Sequence, residues 1–252
     1  MKLAFSQATD DVAALIGQFR QAGFDGLQLK PGQYAPHLDR PERFLEAHGA
    51  SPGAAAGLIA YGPLSAEYVA HLRKVMAFGK AVGSELIVFC HAVGREGLTA
   101  EDIRGFARAL SPLGAEARDL GMKLSLHNHR GQPLMHAEDF EVFFDAIADN
   151  AVGLTLDTAH AALSGIEDIA GLIHRMRGAI DNFHMKDLSG GTFQVLGRGQ
   201  IDFAPIFAAI REIGYDGWIS ADEESGADPV EAMGQCYRFM AAGLGSRGFE
   251  ES

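Results

Sequence analysis

Cysteine is nearly absent. Only Cys90 and Cys236 occur in 252 residues, and their separation excludes both a Cys-x-x-Cys metal or redox motif and a disulfide framework, so both are expected to be reduced and buried. Positive charge is also scarce: 21 Lys and Arg face 33 Asp and Glu, a formal net charge of −12. With no basic run for a phosphate backbone to follow, nucleic acid is not an expected partner. No apolar run approaches the roughly 18 residues that a membrane span needs, and Met1–Phe5 enters a strand without a signal-peptide pattern. The expectation is a cytoplasmic protein without membrane association, for which a homo-oligomer is compatible. What the chain does have is 47% hydrophobic residues, enough for one full core, and a length typical of one (β/α)₈ barrel.

The densest chemical signal lies in four segments, Lys123–His129, Val152–Asp157, Ile180–Lys186 and Trp218–Asp222. Each reads as a strand, and each brings a polar residue to its end: His127, Asp157, His184 and Asp222, about thirty residues apart. Alternation assigns Leu124, Leu126, Leu154, Leu156, Phe183, Met185, Ile219 and Ala221 to one face. Ser125, His127, His129, Thr155, Asp157, Asn182, His184, Lys186, Ser220, Asp222 and Glu224 share the other. In a parallel barrel the apolar face packs on helices and the polar face turns inward, which gathers the four strand ends at the C-terminal rim.

The remaining segments complete an α/β fold, a single (β/α)₈ TIM barrel over residues 1–244 with a frayed tail at 245–252. Strands are expected at Lys2–Phe5, Leu27–Lys30, Gly53–Ala60 and Leu86–His91. Helices are expected at Asp10–Gln21 with Thr9 as cap, at Ser65–Val82, and at Ala100–Leu120 with Pro112 as a kink or break. Further helices fit Ala137–Ala148, Ile166–Met176, Phe203–Ile213 and Pro229–Ala241. The passages Gly23-Phe-Asp-Gly26 and Gly214-Tyr-Asp-Gly217 echo one another ahead of strands.

Two imidazoles and two carboxylates form an N₂O₂ set that suits one divalent ion of the Mn²⁺, Co²⁺, Fe²⁺ or Zn²⁺ kind, with Mn²⁺ the first choice, better than Mg²⁺ or Ca²⁺. The metal-ligand set is therefore His127, Asp157, His184 and Asp222. Lys186, His160 and Glu224 are the candidates for proton transfer. A nearby cation and partial burial are expected to lower the Lys186 pKa, with a salt bridge to Asp187 or Asp222 as its bland alternative. Glu223, of opposite parity to Asp222, should point away. His129, Arg198, His91 and Gln28 are the candidates for substrate contact, Arg198 through the glycine-flanked loop Gly197-Arg-Gly199; Lys30, beside Gln28, is either part of the same wall or an exposed lysine.

The succession Leu-His-Asn-His, Leu-Asp-Thr-Ala-His, Phe-His-Met-Lys-Asp, Gly-Arg-Gly-Gln-Ile-Asp-Phe and Tyr-Asp-Gly-Trp-Ile-Ser resembles the xylose-isomerase-like TIM-barrel superfamily. That group includes sugar phosphate isomerases and epimerases, inosose dehydratases and apurinic endonucleases. The resemblance implies one divalent ion at the barrel mouth and a small carbohydrate substrate. It also implies isomerase or epimerase chemistry through a metal-stabilised enediolate, with dehydration of a keto-inositol or related keto-sugar as the alternative. Asp157 and His184 match the family pattern directly, whereas His127 and Asp222 stand where sugar epimerases usually carry glutamates. The remaining readings are a non-catalytic sugar binder and a multi-zinc DNA-repair endonuclease. The second lacks its Val-Asp-Arg-His loop, since the corresponding stretch here is Gln194-Val-Leu-Gly-Arg198.

Overall fold

The computed structural model describes residues 1–245; the tail expected beyond Gly245 lies outside the described residues. Eight strands close into an all-parallel barrel: β1 (Lys2–Gln7), β2 (Gly26–Leu29), β3 (Gly57–Gly62), β4 (Leu86–His91), β5 (Lys123–His127), β6 (Val152–Asp157), β7 (Ile180–Met185) and β10 (Trp218–Glu223). Between the last two, β8 (Asp187–Ser189) and β9 (Thr192–Gln194) form an antiparallel hairpin. The strand order around the ring is sequential, closed by β1 against both β2 and β10.

The two faces segregate as alternation requires. Leu124, Leu126, Leu154, Leu156, Phe183, Met185 and Ile219 join the main apolar core between strands and helices. Inward-facing side chains of β2, β5, β6 and β7 instead form a polar network. Thr155 Oγ1 donates to Ser125 Oγ at 2.8 Å, and Gln28 Nε2 donates to Asn182 Oδ1 at 2.9 Å. All four residues are buried. Every such bond matters because an unpaired polar group in this setting costs about 1–3 kcal/mol.

Several boundaries differ from expectation. The third strand begins at Gly57, because Ser51–Gly53 make turns whose carbonyls accept from Ala54 and Ala56. The first helix is the shorter Val12–Gln18, capped by Asp11, whose side chain accepts from Ala14 N at 2.9 Å; Thr9 Oγ1 instead accepts from Asp11 N. Pro112 does not break its helix, which runs from Ala100 to Asp119. Pro112 and Arg108 are both exposed, so the Arg108 carbonyl that loses its donor faces water. The stretch read as Ala137–Ala148 is helical to Phe144, and short helices at Pro31–Tyr34, Pro41–His48 and Thr158–Leu163 join those expected. Among the described residues no helix is long and apolar enough to cross a membrane.

Candidate metal centre

Register brings the four strand-end residues together. Asp157 on β6 lies beside His184 on β7, and Ser220, two residues before Asp222, pairs with His184 from the other side. One ligating atom from each of His127, Asp157, His184 and Asp222 lies within 4.8 Å of every other, and all four residues are buried. Two imidazoles and two carboxylates this close together are a donor set that one divalent ion would take as ligands.

The side chains around these ligands set which atoms of the imidazoles and of Asp157 face the centre. Gln28 Oε1 accepts from His184 Nε2 at 2.8 Å, Gln28 and Asn182 exchange amide hydrogen bonds, and Asn182 Nδ2 also donates to Thr155 Oγ1 at 3.4 Å, which orients the pair. His184 therefore carries its proton on Nε2. Its Nδ1, buried and without a hydrogen-bond partner, lies 3.4 Å from Asp222 Oδ2 and presents a lone pair to the centre. Asp157 divides its oxygens. Oδ1 accepts from His160 N at 2.8 Å, capping the helix Thr158–Leu163, and Oδ2 lies 3.3 Å from His127 Nε2. Asn128 anchors the Asp157 backbone by accepting from its N–H at 2.7 Å. Burial depresses the His127 pKa to about 3, against the opposing pull of Asp157, so this imidazole is neutral and able to ligate. The residues present thus fit a divalent ion by donor type, spacing and tautomer.

Two ammonium groups interlock with the carboxylates. Lys186 Nζ is 2.6 Å from Asp222 Oδ2, 2.8 Å from Glu224 Oε2 and 3.5 Å from Asp157 Oδ2. Lys30 Nζ holds the other oxygens of the same pair, Asp222 Oδ1 at 2.6 Å and Glu224 Oε1 at 2.9 Å. Lys30 therefore does not take the exposed alternative. Ring closure places β2 one strand away from β10, with the small Ser6 of β1 in register with Asp222 between them. The lowering expected for Lys186 is also reversed: burial pulls its pKa down, but Asp222, Asp157 and Glu224 outweigh it and hold the amine charged. Burial would raise the Asp157 pKa, yet Lys186, His160 and His127 drive it below the usual carboxylate range. The partner of Lys186 is Asp222, not Asp187.

The other predicted residues divide. His160 is buried, its ring 3.8 Å from that of half-buried His129 and 5.5 Å from that of His127. Burial lowers its pKa to about 4 despite the opposing charge of Asp157, so the imidazole is neutral, and its Nδ1 has no hydrogen-bond partner among the described residues. Arg198 is exposed on a loop organised by Asp187, whose carboxylate accepts from the backbone of Gly197, Gly199 and Ile201. Glu223 is buried and points away from the centre, its Oε1 accepting from Ser225 N.

Two expectations are corrected. Gln28 lies beneath the centre as the support of His184, 1% exposed, and is not a substrate-facing wall. His91 shares the helix-facing side of β4 with Phe89, packs against Phe106 with ring centroids 4.2 Å apart, and so leaves the pocket lining. Phe193 on β9 escaped the sequence reading. Its ring lies 5.6 Å from that of His160 and 4.9 Å from Lys186 Nζ, covering both. A hairpin of two three-residue strands gives no periodic signal by which to find it.

Comparison with known proteins agrees with this architecture. An inosose dehydratase of Lacticaseibacillus casei is 33% identical over 153 residues, a match covering 53% of this chain and 50% of that protein. The chain thus matches about half the length of that curated relative. Among solved structures, a probable 3-DHS dehydratase from Bacillus anthracis superposes with a TM-score of 0.78 at 14% identity, covering 96% of this chain and 99% of the other. An L-ribulose 3-epimerase superposes with a TM-score of 0.75 at 19% identity, covering 97% and 95%. Residues 16–242 match the family described as xylose isomerase-like TIM barrel, and the chain belongs to that family.

Proposed function

We propose that this protein is a divalent-metal-dependent dehydratase of a cyclic β-hydroxy ketone, of which a keto-inositol is the favoured example. The observation that carries this reading is the chemical asymmetry of the groups around the centre. Epimerisation at one carbon needs two comparable groups on opposite faces of the substrate. Elimination of water needs one base for the proton beside the carbonyl and one acid for the departing hydroxyl. Here the pair is unlike: Lys186 is an ammonium clamped by carboxylates, and His160 is a neutral imidazole with an unpartnered nitrogen.

A bound divalent ion, held by His127, Asp157, His184 and Asp222, would polarise the carbonyl and stabilise the charge that develops on its oxygen. His160 accepts the α-proton. As the β-carbon–oxygen bond breaks, Lys186 donates a proton and the hydroxyl departs as water, leaving a carbon–carbon double bond conjugated to the carbonyl. Glu224, itself paired with Lys30, holds Lys186 in place, and Asp222, Asp157 and Glu224 keep it charged. Phe193 shields the acid and base from bulk water. His129 and Arg198 are proposed contacts for the outer hydroxyls, from the rim and the loop respectively. The inosose dehydratase relative supports this choice.

Isomerisation or epimerisation is the second reading, favoured by Glu224, a carboxylate at the rim with 36% of its side chain exposed, and by structural likeness to an epimerase. One experiment separates them. Protein reconstituted with Mn²⁺ or Zn²⁺ is incubated with scyllo-inosose and, separately, with ketohexoses in D₂O. Dehydration produces a conjugated diketone or enol with ultraviolet absorbance, while epimerisation produces a deuterated stereoisomer without it. Conversion of ketohexoses with no unsaturated product from the keto-inositol would refute the dehydratase reading.

A further inference from the structure

Charge at the barrel mouth comes from Asp157, Lys186, Asp222, Glu224 and Lys30, at the ends of β6, β7, β10 and β2, and none comes from β3. On β3 the inward positions are Gly57, Ile59 and Tyr61: a Cβ at Gly57 would meet Gln28 Cγ at 3.0 Å inside the barrel, whereas Leu58 and Ala60 belong to the helix-side core. Gly62, the next outward position, lies against the Tyr68 ring of the helix Ala66–Val82. Tyr61 therefore projects inward at the C-terminal rim. It is 56% exposed, although every other β3 residue is buried.

Its surroundings are apolar. Tyr61 pairs with Cys90 and Ile59 with Val88 across β3 and β4, and Ile59, Leu86, Val88 and Cys90 form an apolar cluster separate from the main core. Cys90 shares the inward side of β4 with Val88 and Leu86, so this wall faces the barrel interior. In the closed ring β3 is four strands from β7 in either direction. Tyr61 thus stands across the mouth from His184 and Lys186, at the C-terminal face where barrels of this kind place their sites.

A two-sided mouth selects for a two-sided molecule. A six-membered ring with equatorial hydroxyls has oxygens around its edge and axial C–H groups on each face. An open-chain ketose has no continuous face of that kind. We propose that Tyr61 is the platform on which the C–H face of a cyclic polyol, a cyclitol or pyranose, packs while its edge oxygens engage the charged half of the mouth. Tyr61 is thereby a substrate-contact residue that restricts the site to ring substrates. The inference rests on the carbohydrate reading above and extends it from reaction type to substrate shape.

The test uses the full-length zinc-loaded protein and its Tyr61→Ala and Tyr61→Phe variants. Ligand-observed NMR gives dissociation constants for scyllo-inosose and for dihydroxyacetone, an acyclic hydroxyketone too short to span the mouth. Tyr61→Ala is expected to weaken scyllo-inosose about tenfold, the change that follows when roughly 50 Å² of apolar surface stays in water instead of packing against the ring. Tyr61→Phe should bind as the parent does, and dihydroxyacetone should be indifferent to both variants. Three results would overturn the proposal: equal scyllo-inosose affinity in Tyr61→Ala, equal weakening of both ligands, or a parent protein that binds no ring. A parent that binds scyllo-inosose without converting it sinks the dehydratase reading instead, and leaves Tyr61 to be judged by the affinity ratio.

Discussion

Replacing Gln28 by methionine tests the metal centre without touching a ligand. Methionine nearly preserves the volume of glutamine and removes both polar atoms. Two consequences follow from the hydrogen bonds. His184 Nε2 is deprived of its 2.8 Å acceptor, so the tautomer that directs the Nδ1 lone pair inward is no longer selected. Asn182 is deprived of both amide bonds to Gln28, at 2.9 and 3.2 Å, deep in the barrel. Removal of a group that orients a metal-bound histidine typically lowers metal affinity about 10–100-fold, equivalent to roughly 1.4–2.8 kcal/mol. Leaving buried polar groups unpaired costs fold stability about 1–3 kcal/mol, which for a chain of this size lowers Tm by roughly 2–4 °C per kcal/mol. Competition against a fluorescent chelator gives the Zn²⁺ affinity, and thermal melts of chelator-treated and zinc-loaded protein give the stability. The zinc-induced rise in Tm should shrink together with the affinity. Zinc affinity within twofold of the parent would refute the claim that Gln28 sets the His184 tautomer.

Other expectations are narrower. Asp157→Ala and His184→Ala should each abolish turnover and stoichiometric Zn²⁺ binding while circular dichroism still reports the barrel; substantial activity in either variant removes the ligand assignment. Gly199→Ala would place a Cβ 2.2 Å from Asp187 Oδ1 and 2.5 Å from the Leu188 carbonyl. It should displace the Arg198 loop, raise KM and cost about 1–3 kcal/mol of stability, which a melt and a Michaelis curve measure together; an unchanged pair would mean that Asp187 does not hold this loop. Away from the mouth, Asp139 is buried; burial would raise its pKa, but Arg95 at 2.9 Å and the His136 and Met135 N–H groups lower it. Its folded pKa lies below the unfolded one, so its stabilisation is complete above the unfolded value of about 4 and is lost as pH falls through the folded value. Asp139→Asn should therefore be less stable than the parent at pH 7, and the gap should narrow below about pH 4. Denaturant melts across that range check the sign.

Local pattern alone carried the barrel, and tertiary closure decided its electrostatics. Alternation within Lys123–His129, Val152–Asp157, Ile180–Lys186 and Trp218–Asp222 assigned apolar residues to the helices and polar ones to the interior, because a strand has only two faces and only one could meet an apolar layer. The four strand-end residues were legible for the same reason: parallel strands of similar length bring their ends to one rim. Closure through β1 turned Lys30 toward Asp222 and brought Gln28 under His184, pairings between residues 192 and 156 positions apart. No periodicity encodes such a pairing. His91 was placed on the wrong wall because its position at a strand end outweighed its parity, which the aromatic packing of Phe89 and Phe106 enforced. The charge state of Lys186 likewise depended on how many carboxylates folding brought within reach, a sum over distances that only the closed barrel defines.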